Sequence, residues 1–227
     1  MSYNNFLYLL NDALSNHDIS LALDSVKTFK AADLADILAQ LPLENSQKLL
    51  LNLPARAYVF SYLKPEEQVK FAQVLTRIDL AEIMGEMPSD KRVDLFKCLD
   101  HEQQNALLPA LAQAEREDIR QLSSYVEGTA GAIMSSEYAT LKPNISVKDA
   151  IKMLRYEAPD TETIYLAYVL DEARKLLGVL SLKQLILAEE ESNISDLMAT
   201  DIIFAYFDSD QDEVAKTIAR YDLLALP

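Results

Sequence analysis

The chain has 227 residues, half of them apolar, and sets 21 Lys and Arg against 36 Asp and Glu for a formal charge of -15. That composition excludes wholesale disorder and argues against nucleic acid, whose affinity draws on cationic contacts to phosphate. It suits either a solubilised acidic surface or a protein that handles cations, and the length allows one large or two modest domains with a real core.

Cys98 is the one cysteine, so an internal disulfide framework is excluded and a reducing compartment is expected. It stands in the apolar run VDLFKCL, where a small buried thiol is the simplest reading. No stretch reaches the roughly 18 consecutive apolar residues of a membrane helix. The opening MSYNNFLYLLND lacks the basic region of a signal peptide. These features predict a soluble, cytoplasmic chain.

The first half reads as successive short helices. Phe6, Leu9, Leu10 and Ala13 recur at helical spacing, as do Leu34, Ile37, Leu38 and Leu41. Leu41-Pro42, Leu53-Pro54, Lys64-Pro65 and Met87-Pro88 each close one apolar-periodic segment and open the next. Proline fits a first helical turn but breaks an interior. Helices this short bury their stripes only by stacking, which predicts an α-superhelix.

The second half changes character. Tyr138 to Leu141 is short and β-prone, and residues 147–158 read as a helix. The run IYLAYVLD, residues 164–171, reads as a buried strand, EARK as a turn, LLGVLS as a second strand and LKQLILA as a closing helix. The predicted order β-α-β-β-α then begins again. Ile133-Met134 recurs as Leu197-Met198, and DAIKML (149–154) lines up with EVAKTI (213–218), both offset by 64 residues. A sustained offset of this kind is an internal repeat. The second copy is incomplete: LLALP aligns with the start of the IYLAYVLD strand, and its partner strand and closing helix do not follow. The chain is therefore expected to be a piece of a longer protein.

Acidic residues cluster in two places. Asp90 and Asp94 in SDKRVDLF are four apart, which puts them on one helix face with Cβ atoms about 6 Å apart. Asp90 also falls in a first turn, where the helix dipole favours it. In FDSDQDEV (207–214), Asp208, Ser209 or Asp210 could cap a helix beginning near Asp212. The alternation Asp208, Asp210, Asp212 fails as a calcium loop, because Glu213 holds the glycine position and Ala219 the bidentate glutamate position.

The stretch YVEGTAGAIMSSEYATL (125–141) carries the pattern E-x-T-A-G-x-I/L-M-x-x-E-Y. It resembles the junction between the helical domain and the CBS pair of MgtE-type magnesium channels. APDTETIYLAYVLDE, GVLSLKQLILA and DQDEVAKTIARYDLLALP look like that family too, so the resemblance covers nearly the whole chain. It implies an α-superhelical N domain at 1–126, a first CBS domain at 127–196 and an incomplete second CBS domain at 197–227. The fold class is mainly α plus α/β. The implied function is a homodimeric, cytoplasmic regulatory region, paired mainly through its CBS domains. It would lie on the cytoplasmic face of the membrane, below a Mg²⁺ pore beyond residue 227. By the same resemblance, Mg²⁺ binds between the N and CBS domains and favours the closed pore. The ligand positions it carries over are Asp90, Asp94, Asp210, Asp212 and Asp222, with the backbone carbonyl of Ala219. One further acidic position of the family, in the helix before Lys64-Pro65, holds Tyr58 here.

Magnesium chemistry agrees with such a pattern. Mg²⁺ prefers oxygen, keeps several waters and needs one or two carboxylates per ion. An exposed like-charge pair at about 5 Å costs roughly 1 kcal/mol in water. Carboxylates on two facing surfaces would hold them apart until ions settle between.

Two other readings compete. CBS pairs often bind an adenine nucleotide such as ATP or AMP, using Ser or Thr and then Asp three residues later; here Ser181 is present but Gln184 stands at the acidic position. A metal-independent interaction scaffold would also suit an α-superhelix. An enzyme is not expected. His17 and His101 are the two histidines, both in polar contexts, and four glycines cannot build a phosphate-cradling loop. Gly128 and Gly131 read as a hinge.

Overall fold

A computed structural model describes residues 2–157 and 163–227, and the chain divides into two compact units, Met1–Gln121 and Leu122–Pro227. In the predicted segments 147–158 and APDTET, residues 158–162 lie outside the described part.

The N-terminal unit is all helix. It runs α1 (Tyr3–Ser15), α2 (Ile19–Val26), α3 (Ala31–Gln40), α4 (Leu43–Asn52), α5 (Arg56–Ser61) and α6 (Pro65–Val74). It continues through α7 (Arg77–Gly85), α8 (Ser89–Cys98), α9 (His101–Leu107), a 3₁₀ turn at Leu108–Ala110 and α10 (Gln113–Leu122). Pro42 and Pro88 occupy the N-caps of α4 and α8, and Pro65 is the first residue of α6, so proline sets these boundaries as predicted. Pro54 stands in the turn ahead of α5. Elsewhere side-chain caps do the same work: Asp18, Thr76 and Asp100 accept from backbone N–H groups in the first turns of α2, α7 and α9.

Short helices leave their last carbonyls without intrahelical donors. Here one arrangement recurs. The fourth residue of α4, α6, α8 and α9 donates a side-chain hydrogen bond to a carbonyl eight residues back, at the end of an earlier helix. Ser46 Oγ reaches Leu38 O at 2.6 Å, Gln68 Nε2 reaches Phe60 O at 3.0 Å, Arg92 Nε reaches Met84 O at 2.8 Å and Gln104 Nε2 reaches Phe96 O at 2.8 Å. Each bond docks one helix on another, and apolar stripes fill the space between. Leu49, Leu50, Phe60, Phe71, Ile83, Met84 and Leu95 are all almost fully buried.

Two sequence expectations are corrected. Leu9 is exposed, and α1 instead buries Leu10, Ala13 and Leu14, because its stripe turns about one position toward the C-terminus. Cys98 is exposed too. It follows Asp94 by one helical turn, on the outer face of α8, while Val93 and Leu95 point inward.

The C-terminal unit contains α11 (Ala130–Ile133), β1 (Tyr138–Leu141), α12 (Val147–Glu157), β2 (Thr163–Leu170), β3 (Leu176–Ser181), α13 (Leu182–Leu187), α14 (Ile194–Leu197) and α15 (Gln211–Tyr221). Among the described residues the strands form one sheet in the order β1-β2-β3, parallel then antiparallel. The EARK turn places Arg174 at φ 61°, and the Asp171 carboxylate accepts from Lys175 N–H at 2.8 Å. One face of the sheet carries Ala139, Leu141, Ala167, Val169 and Leu180 into a core with Val147, Ala150, Leu154 and Leu185. The other face presents Leu166, Tyr168 and Leu170 to a cavity of about 470 Å³. The continuous apolar run in β2 thus reflects two apolar faces.

The repeat is visible in the structure: α14 and α15 begin and end 64 residues after α11 and α12. The predicted start of a second strand at LLALP is not a strand here; residues 223–227 are irregular, with Ala205 N–H bonded to the carbonyl of Pro227 at 2.9 Å. A strand needs a paired ladder, and the described residues supply none beside it.

Two outcomes follow from this packing. Arg92 is buried, pairs with Asp118 at 2.9 Å and also donates to Met87 O at 2.8 Å. Arg92→Ala removes a buried charge pair and the donor to several carbonyls, so chemical denaturation should show a loss of about 3 kcal/mol, against about 1 kcal/mol for Ser46→Ala. An Arg92→Ala chain as stable as the parent would contradict this account of the helix stack. In β3, a methyl at Gly178 would lie 2.7 Å from Met198 Cγ and Sδ. Gly178→Ala should cost about 1–3 kcal/mol, and less in a Met198→Ala background, which removes Cγ and Sδ but keeps the Cβ that would lie 2.9 Å away. Equal costs in both backgrounds would clear the outer atoms of the Met198 side chain as the cause.

Candidate metal centre

The acidic residues of the N-terminal unit sit on a helix that is held firmly. Asp90 lies in the first turn of α8 and Asp94 one turn later, so the two share a face as the spacing predicts. Asp90 Oδ2 stands 3.5 Å from Lys91 Nζ, while its Oδ1 is buried with no hydrogen-bond partner. Asp94 is exposed. Between them Arg92 turns inward to bind the end of α7, which fixes the rotation of α8 and so the direction in which the aspartates face. Sequence reasoning passed over Arg92. The signal was present, because Ser89, Arg92 and Val93 follow a buried-face spacing that ordinarily carries apolar residues.

In the C-terminal unit the candidates occupy the two ends of α15. Asp210 is its N-cap, and its Oδ1 accepts from Asp212 N–H at 2.9 Å and Glu213 N–H at 3.2 Å. Of the three capping candidates read from the sequence, Asp208, Ser209 and Asp210, the helix uses Asp210. The cap uses one carboxylate oxygen and leaves Oδ2 clear of those two bonds. Asp212 is exposed in the first turn beside it, and Asp208 is exposed just upstream.

At the other end Asp222 is the C-cap in the left-handed region, at φ 51° and ψ 46°. Leu223 N–H, which would extend the ladder to Ala219, bonds Ile218 O instead at 3.0 Å. The Ala219 carbonyl is thus one of the last-turn carbonyls that the helix ladder does not take up. A carbonyl and a carboxylate at the negative end of a helix dipole favour a cation.

Asp210 with Asp212, and Ala219 with Asp222, therefore form two pairs at opposite ends of an 11-residue helix, separated by about 16 Å. They cannot share one ion. Asp90 and Asp94 belong to the other unit. Among the described residues no group of three or more His, Cys, Asp and Glu side chains is placed to hold a metal ion.

Tyr58, at the position where the resemblance expects an acid, is exposed on α5. Its hydroxyl lies 3.0 Å from that of Tyr62, with the rings edge to face at 5.2 Å. This hydrogen bond is the first cause that holds the Tyr58 phenol above its ordinary pKa, followed by the charge a Tyr62 phenolate would carry. Near neutral pH it offers a neutral oxygen, a poorer ligand for a hard cation than a carboxylate.

Ser181 caps α13. Its hydroxyl lies 2.7 Å from Gln184 Oε1 and accepts from Gln184 N–H at 3.2 Å, while Gln184 Nε2 reaches Leu197 O at 3.4 Å. A capping box thus engages the Ser181 hydroxyl. Ser181 is not part of the 470 Å³ cavity. That cavity is lined by apolar groups of both repeats, among them Ile133, Leu166, Val214, Ile218 and Leu226. Within it burial, and then neighbouring Tyr138, holds the Tyr168 phenol above its ordinary pKa.

Gly128 and Gly131 take distinct parts in the junction. Gly128 sits at φ +83°, a turn conformation that glycine adopts freely. A methyl at Gly131 would lie 2.6 Å from Tyr125 Cγ and 3.1 Å from Phe207 O, so this glycine permits a close approach.

Comparison with known proteins agrees with the architecture. The MgtE intracellular N domain family matches residues 29–128, and the CBS domain family matches residues 130–191. The chain is 33% identical over 223 residues to the magnesium transporter MgtE of Thermus thermophilus, and 31% identical over 195 residues to that of Bacillus subtilis. These matches cover 96% and 75% of this chain but 50% and 43% of the relatives, so the chain spans about half the length of the curated relatives it matches. Among solved structures, the soluble part of a magnesium transporter is similar with a TM-score of 0.90 at 29% identity, over 100% of this chain and 90% of that one. The cytosolic domain of the Mg²⁺ channel MgtE in complex with ATP is similar with a TM-score of 0.90 at 33% identity, over 97% of this chain and 91% of that one. With a helical N domain joined to a CBS domain through the Thr129-Ala130-Gly131 junction, the chain belongs to the MgtE family of magnesium transporters.

Proposed function

We propose that this chain is the Mg²⁺-sensing regulatory region of a magnesium channel or transporter, on the cytoplasmic face of the membrane. Its domains are the N domain at 1–126, a first CBS domain at 127–196 and the opening of a second at 197–227. It works as a homodimer paired mainly through CBS domains, and the pore lies in the part of the relatives that this chain does not span. Among the described residues no helix is long and apolar enough to cross a membrane.

The observation that carries this reading is the distribution of oxygen ligands. Asp210 and Asp212, Ala219 and Asp222, and Asp90 and Asp94 form three sparse pairs rather than one chelating cage. A calcium or zinc site assembles most of its ligands from the protein, whereas Mg²⁺ keeps waters and accepts one or two carboxylates. An ion held by a pair on each unit has greater affinity for the compact state than for the open one, and that difference shifts the equilibrium. At low Mg²⁺ each exposed like-charge pair at about 5 Å costs roughly 1 kcal/mol and favours separation. At high Mg²⁺ the sign reverses, the dimer compacts and the pore closes.

Solution scattering of the whole regulatory region, with its second CBS repeat complete, should show a smaller radius of gyration at millimolar Mg²⁺ than without it. Changing Asp90, Asp94, Asp210 and Asp212 together to Ala should abolish both this change and Mg²⁺-dependent protection from proteolysis. A metal-independent scaffold predicts that neither property responds to Mg²⁺ in the parent, and that result would end the sensing proposal.

Nucleotide binding is a second reading, favoured by the solved relative in complex with ATP. Ser181 is committed to Gln184 here, so the first repeat lacks the acid that would hold a ribose. Titration calorimetry with ATP and AMP should find Gln184→Asp about tenfold tighter than the parent, the worth of one charge-assisted hydrogen bond. An unchanged affinity would remove Ser181 and Gln184 from any nucleotide site.

A further inference from the structure

The acidic loop ahead of α15 is fastened, main chain to main chain, to the segment that directly follows the N-terminal unit. Ala130 N–H donates to Ser209 O at 2.8 Å and Gly131 N–H to Phe207 O at 2.8 Å, while Gln211 N–H donates back to Gly128 O at 2.9 Å. Thr129 and Asp210 face one another as an antiparallel bridge. The Tyr125 and Phe207 rings lie 5.4 Å apart over this ladder, and only a hydrogen at Gly131 lets Tyr125 and Phe207 O come so close. The N-terminal unit ends at Gln121, and the clamp begins seven positions later, at Gly128.

We infer that residues 128–131 are a positioning clamp for the acidic loop, with Gly131 as its central residue, and that cation capture at Asp210 and Asp212 tightens this clamp. The inference rests on the reading of those two aspartates as Mg²⁺ ligands. The Asp210 carboxylate is aimed by two constraints: its own capping bonds to Asp212 and Glu213, and the ladder that fixes residues 207–211 from behind. Loosening the ladder frees Asp210 to rotate away from Asp212, and an ion needing both then binds less tightly. Linkage makes the effect reciprocal: if the closed clamp raises Mg²⁺ affinity, bound Mg²⁺ must stabilise the closed clamp by the same factor. The segment leaving the N-terminal unit would thereby stiffen when the ion arrives, without itself touching it.

Amide hydrogen exchange of the 227-residue chain tests this, with Mg²⁺ as the probe. Saturating Mg²⁺ should slow exchange at Ala130, Gly131 and Gln211 together, by about fivefold or more. Asp210→Asn, which keeps a capping side chain but loses the charge, should remove the slowing. Gly131→Ala should raise the Mg²⁺ midpoint by about fivefold, and the milder Phe207→Leu, which leaves every clamp bond in place, should raise it less. A purely structural role for the clamp would lower stability in both variants without moving the midpoint. If Asp210→Asn abolishes the Mg²⁺ response while the three amides never respond, the clamp is wrong and the site stands. If Asp210→Asn leaves the Mg²⁺ response of the chain intact, the reading of the site itself fails and the coupling fails with it.

Discussion

Carbonyls at the ends of short helices need donors, and this requirement organises the N-terminal unit. Helices of about ten residues spend a large share of their length on ends, where four carbonyls lack intrahelical partners. Ser46, Gln68, Arg92 and Gln104 each meet that need from the fourth position of a following helix. The bond costs little and fixes two things at once: the distance between consecutive helices and the rotation of the later one. At α8 the donor is an arginine rather than a neutral side chain, with Asp118 as its counter-ion. The helix that carries Asp90 and Asp94 is thus set by the most heavily bonded member of the series.

The C-terminal unit solves a different problem. Its second repeat cannot lean on a complete sheet of its own within these residues, and residues 202–209 are irregular. Backbone pairing to residues 128–131 takes the place of a sheet, and it anchors the start of α15, an amphipathic helix with no fully buried residue. The oxygen groups at both ends of α15 owe their orientation to that anchor and to the left-handed turn at Asp222. Asp94, Asp210, Asp212 and Asp222 are exposed, while Asp90 keeps one carboxylate oxygen buried.

Under the proposed Mg²⁺ reading, sparse oxygen pairs on rigid supports act as a graded electrostatic device. On that reading each pair alone binds weakly, because bulk water screens its exposed oxygens. Rigidity matters because a flexible side chain would relax away from a like charge and weaken both the repulsion and the gain when an ion arrives. Where the resemblance expects an acid, α5 carries the neutral Tyr58 phenol, hydrogen-bonded to Tyr62.

Much of this was legible in the sequence. The proline-punctuated helices, the strands at Tyr138–Leu141 and Leu176–Ser181, the 64-residue repeat and a helix cap among Asp208, Ser209 and Asp210 all follow from local rules: fixed φ at proline, β-prone runs, side-chain caps. Those rules act within a few residues, so they survive without knowledge of the fold. Periodicity misplaced Leu9, and the apolar run around Cys98 misplaced that thiol, because burial depends on which neighbour a helix meets, and a stripe of about 100° leaves its edges undecided. The inward turn of Arg92, the unused carbonyl of Ala219 and the meeting of Gly131 with Phe207 were beyond it for the same reason. Each depends on partners distant in sequence or on where a ladder stops, and those distances close only when the chain has folded.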